Sequence, residues 1–294
     1  VSSIQNRTTP VAPASLDAPV SVVIPTYNRC DSVVIAIESV LAQTVQPAQI
    51  IIVDDGSDDD TAATISARFA QVQLLKQNNH GVSHARNQGI KASTQPWIAF
   101  LDSDDRWFHN KLDVQLQAIN STPNTVLCHC DEHWIRNGKR VNPMNKHKKR
   151  GGDIFEHCLP LCAISPSATL IRRSLFDSIG LFDESMPACE DYDLWLRICA
   201  HHPVLFVNHA LLEKTGGHSD QLSRKHWGMD RFRLHALAKL LRFSSLSEHQ
   251  ASLVLSTLKS KYDIIVNGAT KRDNQPFIVE LRSLYADLVD LADQ

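Results

Sequence analysis

Trp97-Ile98-Ala99-Phe100-Leu101-Asp102-Ser103-Asp104-Asp105 is the stretch on which the fold turns. The five apolar residues read as a short strand buried on both faces of a sheet. They run without a break into Asp102, Asp104 and Asp105, three carboxylates within four residues. Carboxylates so close repel one another, so a folded site has to neutralise them. Oxygen ligands at this density suit Mg²⁺ or Mn²⁺. An Asp-rich turn, or a helix N-cap before Trp107, is the plainer explanation of such a string. The buried strand that precedes it argues for the ion.

Upstream, the pattern repeats. Val20 to Ile24, closed by Pro25, predicts a first strand. Val34, Ile37 and Leu41 then recur at helical spacing, with Asn28 as the expected N-cap. Gln49 to Val53 predicts a second strand, which ends in Asp54-Asp55-Gly56-Ser57. A helix over Thr61 to Phe69, a strand over Val72 to Leu75 and a helix over Val82 to Ala92 follow. Alternating strands and helices imply βαβ units in a doubly wound α/β sheet. Ligands bind such sheets beyond the carboxyl ends of the strands, so both aspartate clusters should share that edge. Asp58, Asp59 and Asp60 are expected to cap the helix at Thr61. Asp54 and Asp55 lie too far upstream for that and are free to bind a base or ribose.

Downstream of about residue 120 the alternation fades. Strands are expected over Thr125 to His129 and Ala168 to Arg172, and a helix over Glu190 to Ala200. From Arg224 onward only helical patterns appear, around Phe232 to Leu241, Val254 to Leu258 and Ile278 to Leu288. The expected division is a flexible tail over 1–18, an α/β domain over 19–222 and a helical region over 223–294.

Of the 294 residues 43% are hydrophobic, the net charge is -2, and nothing points to nucleic acid as a partner. The basic run Lys146 to Arg150 reads first as a solvated loop, and second as a contact with phosphate groups or lipid heads. Seven scattered cysteines argue against a disulfide frame. Cys128-His129-Cys130 with His133 fits no common zinc spacing. No apolar run is long enough to span a bilayer and no signal peptide is visible. These features make a cytoplasmic protein the expectation, with peripheral contact at the inner membrane face as an added one.

Two further segments carry chemistry. In Asn79-His80-Gly81-Val82-Ser83-His84-Ala85-Arg86, an arginine stands near a helix N-terminus, where the dipole disfavours it. Pairing with aspartates or with a diphosphate would explain it. Glu190 and Asp191 open a later helix, either as dipole-complementing carboxylates or as a catalytic pair. His218, in a Gly-flanked loop, is a candidate metal ligand.

Taken together the chain resembles the inverting family 2 glycosyltransferases with the GT-A fold. The matching stretches are VSVVIPTYNR (20–29), IIIVDDGSDDDT (50–61), NNHGVSHARNQGI (78–90), WIAFLDSDD (97–105) and CEDYDLWLR (189–197), in the family's order. The resemblance implies a Rossmann-like mixed sheet flanked by helices, with a helical C-terminal appendage. It implies that Pro25, Tyr27, Asp54 and Asp55 border the nucleotide base, and that Arg86 approaches the nucleotide. Asp102, with Ser103, would bind ribose or a metal-bound water. Asp104, with Asp105 close by and His218, would bind Mn²⁺ or Mg²⁺. Asp191 would be the base, with Glu190 beside it. The implied donor is a nucleoside-diphosphate sugar, UDP or dTDP favoured, and the acceptor a carbohydrate or lipid-linked hydroxyl in polysaccharide or glycoconjugate synthesis. A nucleotidyltransferase and a non-catalytic nucleotide-sugar-binding module are the alternatives. The first should carry a Gly-rich basic loop after strand one, where this chain has Pro25-Thr26-Tyr27-Asn28-Arg29. The second would not need Glu190 and Asp191.

Overall fold

The computed structural model describes residues 17–217, 226 and 228–292. In chain order the first half runs β1 (Ala18–Thr26), α1 (Cys30–Leu41), β2 (Pro47–Asp54), α2 (Thr61–Arg68), β3 (Gln73–Lys76), α3 (Val82–Ala92), β4 (Trp97–Phe100), β5 (Arg106–Trp107) and α4 (Lys111–Asn120). The second half runs β6 (Leu127–Arg136), β7 (Lys139–Val141), α5 (Phe155–Cys158), β8 (Thr169–Arg172), α6 (Leu175–Ile179), α7 (Glu190–Cys199) and β9 (Leu205–Gly216). Three helices follow: α8 (Asp230–Phe243), α9 (Glu248–Thr270) and α10 (Gln275–Ala292).

The strands form one sheet in the order β3-β2-β1-β4-β8-β6-β9-β5, with β7 paired to β6. β3, β2, β1 and β4 are parallel. β8 then runs antiparallel between β4 and β6, and β6 and β9 are parallel to each other. Period-two alternation divides each central strand between two cores. Val20, Val22 and Ile24 of β1 pack with Val33, Ile37 and Ile65 on one face. Val23, Ile51 and Phe100 pack on the other face, in a cluster continuous with α7 and the C-terminal helices. Gly89 lets α3 lie flat on β1, because any Cβ there would collide with Val23.

Helix α7 buries Leu194, Trp195, Leu196 and Ile198 almost completely. Each such side chain contributes about 1.5–3 kcal/mol by leaving water. The C-terminal helices dock on this element. Lys239 of α8 donates to Asp183 and Asp193, and Gln250 of α9 donates to the Ala200 carbonyl at 2.8 Å. Helix α9 opens with a reciprocal capping box between Ser247 and Gln250.

Several expectations are corrected here. Asn28 is not the cap of α1; it sits at φ 50° outside the helix and accepts the Asp58 amide. Of the three expected caps of α2, Asp59 alone reaches a helix amide, that of Thr61 at 3.0 Å. Strand β6 extends to Arg136, well past His129, and the twelve-residue strand β9 had no counterpart in the pattern reading. Nor is the basic run wholly solvated: Lys149 is buried against Glu132 at 3.0 Å. His129 is fully buried, its Nε2 on the Arg150 carbonyl, and burial pushes its pKa down to about 3. It is a core histidine.

Candidate active site

The parallel strands deliver both aspartate clusters to one edge, as their order requires. Thr26 and Asp54 are register partners on β1 and β2, and Leu101, just after β4, donates to Val23 of β1. Asp54 is buried and accepts the Ser57 amide and hydroxyl. Gly56 beside it takes φ 81° and packs so close to the Asn79 backbone that a side chain is excluded. Asp55 accepts Gln77 Nε2 and the His80 amide on one oxygen and the Gly81 amide on the other. The carboxylate therefore fastens the loop between β3 and α3 over the end of β2. Pro25 lies buried in β1, while the Tyr27 ring is 42% exposed at the rim.

The aspartates after β4 separate into three different situations. Asp104, partly exposed, pairs with Arg29 at 3.0 Å. Asp102 is 27% exposed and pairs with Arg86 at 2.8 Å. Asp105 is buried; one oxygen accepts the Ser167 hydroxyl at 2.6 Å and the other the Thr215 amide at 2.8 Å. Burial and the neighbouring charges of Asp104 and Asp102 push the Asp105 pKa well above the usual carboxylate range. It braces the segment after β4 against Ser167, just before β8, and against Thr215 of β9. Ser103 is buried beside it, and Ser167 also accepts the Asp102 amide. Among the described residues no group of three His, Cys, Asp or Glu side chains forms a metal cage. The donor set suits an ion held by one or two carboxylates and completed by phosphates and water. His218 lies outside the described residues.

Arg86 is the hinge of the site. It is buried, over the Phe182 ring, and bridges Asp102 and Glu190, the latter at 2.6 Å. Burial alone would lower its pKa, but the two carboxylates overcome this and hold it firmly charged. Here lies the reason for an arginine at an unfavourable helix position. Glu190 is buried as well, and burial and Asp191 push its pKa up against the pull of Arg86. Its neighbour Asp191 is half-buried; one oxygen accepts the Cys162 thiol at 3.2 Å and the other the Tyr192 amide at 2.7 Å. Cys189, just before the pair, is held at φ 62°, a left-handed conformation costly for a residue with a side chain. That turn sends two adjacent carboxylates to different tasks.

Pattern reading missed Arg29, Cys162, Ser167 and Lys214. Lys214 lies in β9 and donates to Ser165 at 2.9 Å. Burial would lower its pKa, yet Glu132, Asp105 and Asp102 hold it charged. None of the four stands beside its partner in sequence; Arg29 closes the stretch 20–29, and no local motif marks Cys162, Ser167 or Lys214.

An aspartate pair at the carboxyl edge of a half-parallel sheet, bridged by a buried arginine to a second acidic pair, defines a nucleotide-diphosphosugar transferase of the GT-A type. The chain belongs to glycosyl transferase family 2, which matches residues 21–180. It is 36% identical over 189 residues to an uncharacterized glycosyltransferase of Rickettsia bellii, covering 63% of this chain and 27% of that protein. It is 33% identical over 207 residues to one of Rickettsia prowazekii, covering 69% and 65%. The chain thus spans between about a quarter and two-thirds of these relatives. A UDP-Glc:alpha-D-GlcNAc-diphosphoundecaprenol beta-1,3-glucosyltransferase of Escherichia coli is 29% identical over 191 residues, covering 64% and 73%. The crystal structure of S. aureus TarS 1-349 in complex with UDP-GlcNAc shares the fold, with a TM-score of 0.74 at 18% identity over 92% of this chain and 81% of that one.

Proposed function

We propose that this chain transfers a sugar from a UDP-sugar to a hydroxyl of a diphospholipid-linked carbohydrate, with inversion. The observation that carries the reading is the division of labour between Glu190 and Asp191. Glu190 is consumed by Arg86, whereas Asp191 is partly open to solvent and fixed by two donors. A carboxylate so placed can take the proton of an acceptor hydroxyl as that oxygen bonds to the anomeric carbon. The anomeric bond to the diphosphate breaks on the opposite face, which gives the inverted product. Asp54, Asp55 and Tyr27 border the space for the base, and Asp102 that for the ribose or a metal-bound water. Asp104 and Asp102 are the residues that would hold a divalent ion, which when bound neutralises the diphosphate leaving group. The relatives' names support UDP-glucose as donor and a sugar-diphosphate lipid as acceptor class. On this reading the protein works at the cytoplasmic face of a membrane. No described helix is long and apolar enough to cross one.

Calorimetric titration of UDP and UDP-glucose, with and without Mn²⁺, tests the donor assignment. Mn²⁺ should tighten binding to the native protein and have no effect on Asp104→Ala, whose melting temperature should stay the same. An Mn²⁺ response that survives in the variant removes Asp104 from the site.

A further inference from the structure

A recess of about 920 Å³ lies between the start of α8 and the far end of α9, away from the sheet edge. Arg231, Arg233 and Arg272 line it, with Met229, Ile264 and Ile265. Lys261 adds a fourth cation beside it, and Asp230 and Asp273 are the carboxylates within it. Asp230 is already shared, taking Arg233 at 3.0 Å and Lys261 at 2.9 Å. Among the described residues the cations there outnumber the carboxylates. The Arg233 Nε is buried with no hydrogen-bond partner among the described residues. A buried unpaired donor is costly, by about 1–3 kcal/mol, and a ligand that satisfies it recovers that cost. Guanidinium forks match the oxygens of phosphates in two-point geometry.

Two hydrogen bonds tie the recess to the chain neighbours of Asp191. Met229 accepts the Cys189 thiol through its carbonyl at 3.8 Å, and Cys189 immediately precedes Glu190 and Asp191. Lys261 donates to the Pro160 carbonyl at 2.9 Å, two residues before Cys162, whose thiol holds Asp191. Ile264, 61% exposed at the rim, gives the cations an apolar neighbour.

We propose that this recess binds the phosphate or diphosphate ester carried by the acceptor, and so aims the adjoining sugar hydroxyl at Asp191. The inference rests on the transfer reading above and names the part of the acceptor that the chain grips. Inorganic phosphate, a soluble sugar-diphosphate ester and an anionic lipid surface share the relevant chemistry, and the experiment separates them.

The probe is a GlcNAc-diphosphate with a short alkyl chain, titrated into the full chain saturated with UDP, so that the donor site is filled. Saturable binding is expected. Arg272→Glu should weaken it at least tenfold and Arg272→Gln at least threefold, with melting temperature and UDP affinity unchanged; the Gln variant serves if the Glu variant misfolds. The matching alkyl glycoside without phosphate should bind at least tenfold more weakly. Inorganic pyrophosphate should compete. Equal affinity of native and variant chains for the ester overturns the proposal, as does equal affinity for the phosphate-free glycoside. Arg272-dependent binding to phosphatidylglycerol vesicles without binding of the soluble ester also overturns it, and makes the recess a membrane contact. Failure of the native chain to bind UDP would instead sink the donor reading. The ester can then be titrated without UDP, and its dependence on Arg272 still decides the recess.

Discussion

The sheet edge and the helical flank of this molecule are built on opposite principles. At the edge almost every acidic group is already answered from within: Asp54 by Ser57, Asp55 by the loop over β2, Asp105 by Ser167 and Thr215. At the flank an arginine nitrogen has no hydrogen-bond partner among the described residues, and Phe243 and Ile264 stand exposed. The contrast teaches that the sheet edge is organised without a ligand, so that a donor bound there, as proposed, would meet little ordering cost. The flank presents cations beside exposed apolar surface, the combination from which the acceptor recess is inferred.

If the edge is preformed and Asp191 alone faces the acceptor, damage to the two should look different. Asp191→Asn should lower turnover by about two to four orders of magnitude and leave donor affinity almost unchanged. Single-turnover transfer to a sugar-diphosphate acceptor reads the first quantity and calorimetry with UDP the second. A variant that fails only in donor binding would move the base elsewhere. Arg86→Met should cost stability instead. Removing one member of a buried ionic network leaves the others uncompensated, at about 3–5 kcal/mol. Urea unfolding should show it, and Glu190→Gln in the same chain should return part of the loss. A melting curve unchanged from the native one would mean that the Arg86 bridge carries no weight.

A gentler probe of the frame is pH. Burial alone would raise the pKa of Glu132, but Lys149 and Lys214 overcome it and hold it at about 2. A depressed carboxylate stabilises the fold fully above its ordinary value near 4.5, and the benefit fades as pH falls toward about 2. The gap between native protein and Glu132→Gln should therefore be widest above that range, on the order of 3 kcal/mol, and close as acid is added. A gap that stays constant with pH would show that packing, not charge, is lost. Smallest of all should be Cys162→Ala, which removes one weak donor from Asp191. Turnover should fall about three- to tenfold with donor affinity intact, and Cys162→Ser should recover most of it. Loss that serine does not recover would give the thiol a packing role only.

The two regions also differ in how far the sequence discloses them. Strands β1, β2 and β4 are short, apolar and buried on both faces, so their composition alone declares them, and the aspartates at their ends follow from the direction of a parallel sheet. Arg86 announces itself by standing where a helix dipole repels it. Strand β9 does not, because charged and polar residues such as Asn208, His209 and Glu213 interrupt it near the edge of the sheet. Its lysine and its Thr215 amide therefore have no signature, although both complete the surroundings of Asp105. The same holds for Cys162 and Ser167: each meets its partner through tertiary folding, at separations of 29 and 62 residues. Lys149 looked solvated because a basic run usually is, and the buried Glu132 that claims it could not be seen from the run itself.

The bond between the Thr215 amide and Asp105 has a consequence for how the protein is born. The two residues are 110 positions apart, and among the described residues β5 pairs with β9 alone. On the ribosome the parallel half can pair as it emerges, since its contacts are local, while the aspartate string must wait until residue 215 is synthesised before its last amide is in place. An N-terminal fragment ending before β9 would carry every motif by which the family is known and still leave Asp105 a buried carboxylate short of one hydrogen bond. The surroundings of Asp105 are therefore completed late in synthesis, once β9 has been made.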